Sequence, residues 1–251
     1  MPVPGAVSDP SSIDTSEIRI GEIDAYLARA VGDGPHGGII VIHEAFGMVP
    51  HISDLARRFA AAGFNAIAPN LYTRTGSPDP TDFPAVFQAM FGKSDAETVA
   101  DLDLAAAHLR GLDDSNGKVG VIGFCSGGRQ TLLYACSSAA PDAAIDCWGG
   151  FVDRATQDDV TTPNRPTPVR ELAAGASCPI FLAGGADDQN PSPEVLADVA
   201  ERLRAAGKDV TLKVWDGAGH AFLADYRPSY AEPQAHELWA DILDFFGAHL
   251  R

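Results

Sequence analysis

At 251 residues, the chain has room for one large domain with a sizeable core, or at most two small ones. A formal net charge of −16 at pH 7 makes a surface that repels phosphate backbones, which argues against a nucleic-acid partner. No apolar run approaches the roughly 20 residues that span a bilayer. The opening "MPVPGAVSDPSS" lacks the basic and apolar regions of a signal peptide, so neither a membrane partner nor export is expected.

In chain order, residues 1–15 read as a flexible tail ahead of a single domain over 16–251. "SEIRIGEIDAYLARA", Ser16 to Ala30, alternates roughly with period two around Gly21, which predicts an antiparallel hairpin at a sheet edge. "IIVI", Ile39 to Ile42, is a short continuous apolar run, as in a strand buried on both faces. Ile52, Leu55, Phe59 and Ala62 then recur at helical spacing before a stop at Gly63. "NAIAPNLY" reads as a second buried strand, and residues 84–110 as helical after a Pro-rich loop.

The alternation continues with the strand "KVGVIGF" and the helix "GGRQTLLYACSSA". "AAIDCWGG", "CPIFLAGG" and "DVTLKVWD" are strand-like, with the helix "PEVLADVAERLRAAG" between the last two and "HELWADILDFFGAHL" closing the chain. Alternating strands and helices predict an α/β fold, a mostly parallel central sheet with helices on both faces. Residues 151–176, rich in Pro, Thr and Asp, fit no element and read as an excursion beside the sheet.

Chemistry concentrates at "GFCSGG". Gly123-x-Cys125-x-Gly127 has the form of a nucleophile elbow with cysteine in the nucleophile's place, or else of a tight strand-to-helix turn with a buried thiol. The elbow form exposes the thiol, and the helix that follows aims its N-terminal amides at a thiolate or an oxyanion. The other cysteines, Cys136, Cys147 and Cys178, read as buried hydrophobes. With no CxxC pair and no histidines at zinc-finger spacing, neither a metal site nor a disulfide scaffold is expected, and free thiols point to a reducing cytoplasm.

A cysteine nucleophile needs a base, and the base an orienting acid. "GGADDQN" ends one predicted strand with Asp187 and Asp188, and "DGAGHAF" ends the next with His220. Each alone reads as a solvated loop residue. Together they follow the order nucleophile, acid, histidine, each at the carboxyl end of its strand. Asp187 is favoured as the acid because it directly follows "GGA", with Asp188 as the alternative. After the early buried strand come Glu44, which is either functional or a capping carboxylate, and Ala45, whose amide is placed to pair with that of Ser126 as an oxyanion hole.

"HEAFG", "APNLY", "GFCSGG", "GGADD" and "GAGHAF" together resemble the dienelactone hydrolase (carboxymethylenebutenolidase) family of the α/β-hydrolase superfamily, over roughly residues 17–250. The resemblance implies a Cys125–His220–Asp187 triad with no metal and no organic cofactor, and a Glu44 that interacts with the resting thiol and takes part in its activation. It implies hydrolysis of an enol lactone. One departure stands out: where the family places a substrate-binding arginine four residues after the histidine, this chain has Ala224. Arg227 is the candidate substitute. Three functions therefore remain in view: a lactone or small-ester hydrolase, a broader carboxylesterase or thioesterase, and a non-catalytic thiol sensor.

Overall fold

The computed structural model describes residues 3–158 and 160–251. Among the described residues eight strands form one sheet: β1 (Ile13–Ile20), β2 (Ile23–Ala30), β3 (His36–Ile42), β4 (Asn65–Pro69), β5 (Ser115–Phe124), β6 (Ala143–Cys147), β7 (Ile180–Gly185) and β8 (Val210–Trp215). Their order is β1-β2-β4-β3-β5-β6-β7-β8. β1 and β2 form the edge hairpin, β2 runs antiparallel to β4, and every pairing from β4 to β8 is parallel. This is the mostly parallel α/β architecture that the alternation predicted.

Six α-helices among the described residues cover the sheet: α1 (Pro50–Ala61), α2 (Phe83–Gly92), α3 (Asp95–Arg110), α4 (Ser126–Ser137), α5 (Pro193–Ala205) and α6 (Glu232–Leu250). Strand β3 buries all but its first residue, and β5 is buried from Val119 to Phe124, because each face of the sheet carries its own core. One core joins Ile39, Val41 and Ile122 to Phe59 of α1 and Phe246 of α6. The other joins Ile40, Ile42 and Val121 to Leu102 of α3 and Leu133 of α4. The period-two pleat thus sends neighbouring residues of one strand into opposite cores.

Three expectations need correction or refinement. The segment read as a flexible tail is anchored near its start, although residues 8–11 are exposed: Pro4 is buried and its carbonyl accepts a hydrogen bond from Arg58 Nη1 at 3.0 Å. Gly5, at φ +70°, lies flat against Trp239, where a Cβ would come within 2.5 Å of the indole. Residues 84–110 are two helices rather than one, broken at Lys93, with Ser94 capping α3 by accepting from Glu97 N. The excursion at 151–176 contains a short 3-10 helix, Val169–Gly175, and packs against α4 and α5.

Candidate active site

Cys125 stands between β5 and α4 at φ 57°, ψ −117°, a left-handed backbone that a residue with a side chain adopts only under strain. Close packing on both sides holds it there. A Cβ on Gly123 would lie 2.1 Å from Gly127 O, and one on Gly127 would lie 2.4 Å from Ile42 O. Glycine at both positions lets strand, turn and helix approach this closely. The Cys125 amide also donates to Cys147 O at 3.1 Å, and its carbonyl accepts from Gly128 N, which starts the helix.

His220 Nδ1 lies 2.7 Å from a carboxylate oxygen, and the carboxylate belongs to Asp188. The expectation of Asp187 in this place is therefore corrected by one residue. After Gly185 the chain turns, with Asp188 N donating to Gly185 O at 3.2 Å. That turn leaves Asp187 exposed and sends Asp188 inward, where it is 3% exposed. Gly185 lies so close to the next loop that a Cβ would sit 2.2 Å from Ala218 O, which brings His220 within reach. Asp188 Oδ1 accepts from Asn190 N at 2.9 Å, which fixes the carboxylate.

Burial alone would lower the pKa of His220. The hydrogen bond to Asp188 and the adjoining Cys125 side chain outweigh it and raise the pKa to about 10. With Nδ1 on Asp188, Nε2 is the ring nitrogen left to serve the thiol. Burial pushes Cys136 and Cys178 up to about 12 and Cys147 well above the ordinary thiol value. Those three thiols stay protonated.

Glu44 is 1% exposed. Its Oε2 accepts from Arg227 Nη2 at 2.5 Å and from Tyr226 Oη at 3.1 Å. Burial raises its pKa, opposed by Arg227, Tyr226 and His220. The resemblance implied a carboxylate resting against the thiol; among the described residues its side-chain partners are instead these two from the loop after His220. Arg227 also lies over the rings of Phe46 and Tyr226, at 4.9 and 5.1 Å. Arg74, the lone arginine in the segment after Tyr72, is engaged by Asp101 at 3.0 Å and does not reach the site.

Cys125, Ser126, Ala45, His220 and Arg227 all line one cavity of about 360 Å³. A larger cavity of about 460 Å³, between the 71–78 loop and α2, touches neither Cys125 nor His220. Cys125 and His220 face the smaller one. Its wall includes residues that the sequence reading missed: Arg129, which forks onto Asp95 at 2.7 and 3.1 Å, and Arg165 from the excursion. His43 was missed as well. Its Nδ1 bonds Glu44 O at 2.7 Å and its Nε2 accepts from Leu71 N, tying the Glu44 turn to the end of β4.

The chain is similar to known proteins over nearly its whole length. The dienelactone hydrolase family model matches residues 23–250. The chain belongs to the dienelactone hydrolase family. Named "Putative carboxymethylenebutenolidase", a protein of Methylorubrum extorquens is 35% identical over 95% of this chain and 82% of its own length. The Escherichia coli protein of the same name is 36% identical over 97% and 86%. A crystal structure titled "Putative Dienelactone Hydrolase" from Klebsiella pneumoniae superposes with a TM-score of 0.85 at 36% identity, covering 94% of this chain and 98% of that one. This dienelactone hydrolase family member is thus an enzyme, a hydrolase on an α/β-hydrolase fold. Among its described residues no helix is long and apolar enough to cross a membrane.

Proposed function

We propose that the protein is a cysteine hydrolase that opens a lactone or cleaves a small ester through Cys125, His220 and Asp188. The observation that carries this reading is the 2.7 Å His220–Asp188 contact beside a thiol on a strained turn. The raised His220 pKa favours the state in which the ring holds the proton, and this is the state in which the sulfur attacks. The thiolate adds to the carbonyl carbon, and the oxyanion is received by the Ala45 and Ser126 amides at the cavity wall. His220 then gives its proton to the leaving oxygen, which in a lactone stays tethered to the acyl group. Water next loses a proton to His220, attacks the thioester and releases the acid, and the sulfur leaves as thiolate.

In this reading Arg227 and Tyr226 hold the Glu44 charge away from the developing thiolate, which removes a repulsion from the reacting centre. Free thiols fit a reducing cytoplasm. A carboxylesterase or thioesterase would use the same groups, so a substrate panel separates these readings. The test is Cys125→Ala against lactones, aryl esters and thioesters, with mass spectrometry of the quenched wild-type reaction. The expected result is an acyl adduct on Cys125 and loss of turnover in the variant. Turnover preserved in Cys125→Ala would reject the cysteine mechanism.

A further inference from the structure

The sequence of α2, "FPAVFQAMFG", places Phe83, Val86, Phe87 and Met90 at i, i+3, i+4 and i+7, one apolar stripe of a helix. On an ordinary surface helix such a stripe packs onto the main core. Here all four residues line the cavity that holds Cys125 and His220. Val86 and Met90 form, with Ala45, a small apolar cluster separate from the two sheet cores, with Phe46, Phe91 and Phe151 packed against it. The outer end of the stripe stays exposed, Phe83 at 59% and Phe87 at 37%.

Phe87 stacks on Phe91 with centroids 5.9 Å apart and planes at 10°, and Phe91 meets Phe151 edge-on at 5.1 Å. The roof is pinned. Arg165 donates to Met90 O at the end of α2 and to Ala155 O in the excursion, with its guanidinium over Phe91 at 5.2 Å. Asn164 Nδ2 donates to Gly92 O at 2.9 Å, and Asp95 N to Asn164 O at 2.8 Å. The excursion and α2 thereby form one preformed aromatic wall opposite the thiol.

We propose that the substrate carries an aromatic ring, or an apolar group of similar bulk, beside the scissile carbonyl, and that it seats along Phe83, Phe87 and Phe151. This rests on the hydrolase reading above and names its substrate class. The 360 Å³ of the cavity falls in the range of about 300–1,000 Å³ that encloses drug-sized ligands rather than a bare five-membered ring. Two phenylalanines left open to water at a reacting centre are accounted for by a guest that covers them.

The test compares kcat/KM for acetyl, butyryl and 3-phenylpropionyl esters of one common alcohol, and for γ-butyrolactone with and without a phenyl substituent. The ester series reads the acyl side; a parallel series of acetate esters of ethanol and benzyl alcohol reads the other side. On one side or the other the ring should raise kcat/KM by about ten- to a hundred-fold. In Phe87→Ala and Phe151→Ala that ratio should fall at least five-fold, with circular dichroism showing the fold retained.

Equal rates with and without the ring on both sides would overturn the proposal, as would a ratio untouched in both variants. Binding of 3-phenylpropionate against propionate to Cys125→Ala, followed by calorimetry, separates this from failure of the chemistry. Tighter binding of the ring compound supports the cavity assignment even if another nucleophile acts. Equal binding of this pair, together with equal binding of benzyl alcohol and ethanol, rejects the assignment even if the cysteine mechanism holds.

Discussion

Asp187 and Asp188 are neighbours in sequence, but only the second faces the histidine. Sequence supplies two aspartates after "GGA", and which one faces inward depends on the turn closed by Asp188 N on Gly185 O, a detail that no periodicity encodes. Asp188→Asn should lower kcat by about 10³–10⁴-fold, because the amide cannot stabilise the imidazolium. Asp187→Asn should stay within about three-fold, since surface changes rarely disturb a site. Steady-state kinetics on both variants decides the assignment. Titration offers a second check. In the wild type the His220 ring should remain charged well above pH 8, given its pKa of about 10. In Asp188→Asn the value should fall markedly, because burial then pulls it down with less opposition. Histidine-selective NMR across pH 5–11 would read both, and an unchanged His220 curve would exclude Asp188 as the group that holds the charge. Of the four thiols, brief alkylation should label Cys125 first, since burial keeps the other three protonated. Peptide mapping would report any other order.

At the level of elements, the sheet was largely legible because its strands are short apolar runs between turn residues, and because the edge hairpin alternates with period two. The break within 84–110 was missed, although Ser94-Asp95-Ala96-Glu97 carries the pattern of a helix start. The tail was misread because its anchors, Arg58 and Trp239, lie far along the chain, and a composition rich in Pro and Ser gives no hint of them. Arg58 shows what such distant contacts accomplish. Buried at 3% exposure in α1, it pairs with Asp54 at 2.6 Å and with Asp225, and donates to Pro4 O. Asp225 directly precedes Tyr226 and Arg227, the two residues that hold Glu44. One helix thereby fixes both the amino-terminal strap and the loop behind the site. Removing the cation leaves the largely buried Asp225 without its guanidinium, while Asp54 keeps Arg57, so Arg58→Met should cost about 3 kcal/mol of stability. Urea unfolding would measure that loss, and a change under 1 kcal/mol would show that the clamp does not secure the loop.

Across the whole molecule, stability follows how the fold shifts its buried titratable groups away from their unfolded values. His43 and His51 are both lowered to about 4, chiefly by burial. For His43 the geometry independently demands the neutral ring, because Nε2 must accept from Leu71 N. The unfolded chain therefore binds more protons than the native one between about pH 4 and 6.5, and native stability falls as pH drops through that window. Asp146 acts in the opposite direction. Burial raises its pKa to about 7 despite the Gly149 amide, and its Oδ2 has no partner among the described residues. Its contribution declines as pH rises from about 4 to 7. His220, raised to about 10, adds stability below pH 6.5 that is lost as pH climbs through 10. On the acid side three lowered histidines, with His108 beside His43 and His51, outweigh the two raised carboxylates Asp146 and Glu44, and only declining contributions remain on the alkaline side. Unfolding free energy should therefore peak near pH 6.5 and fall both ways. Urea denaturation at pH 4.5, 6.5 and 9 would trace the dome, and a stability still rising at pH 9 would contradict the sign assigned to His220. His43→Gln, which removes one titrating ring, should shallow the acid limb by about 2 kcal/mol between pH 6.5 and 4.5. An acid limb as steep as the wild type's in that variant would place the lost protons elsewhere.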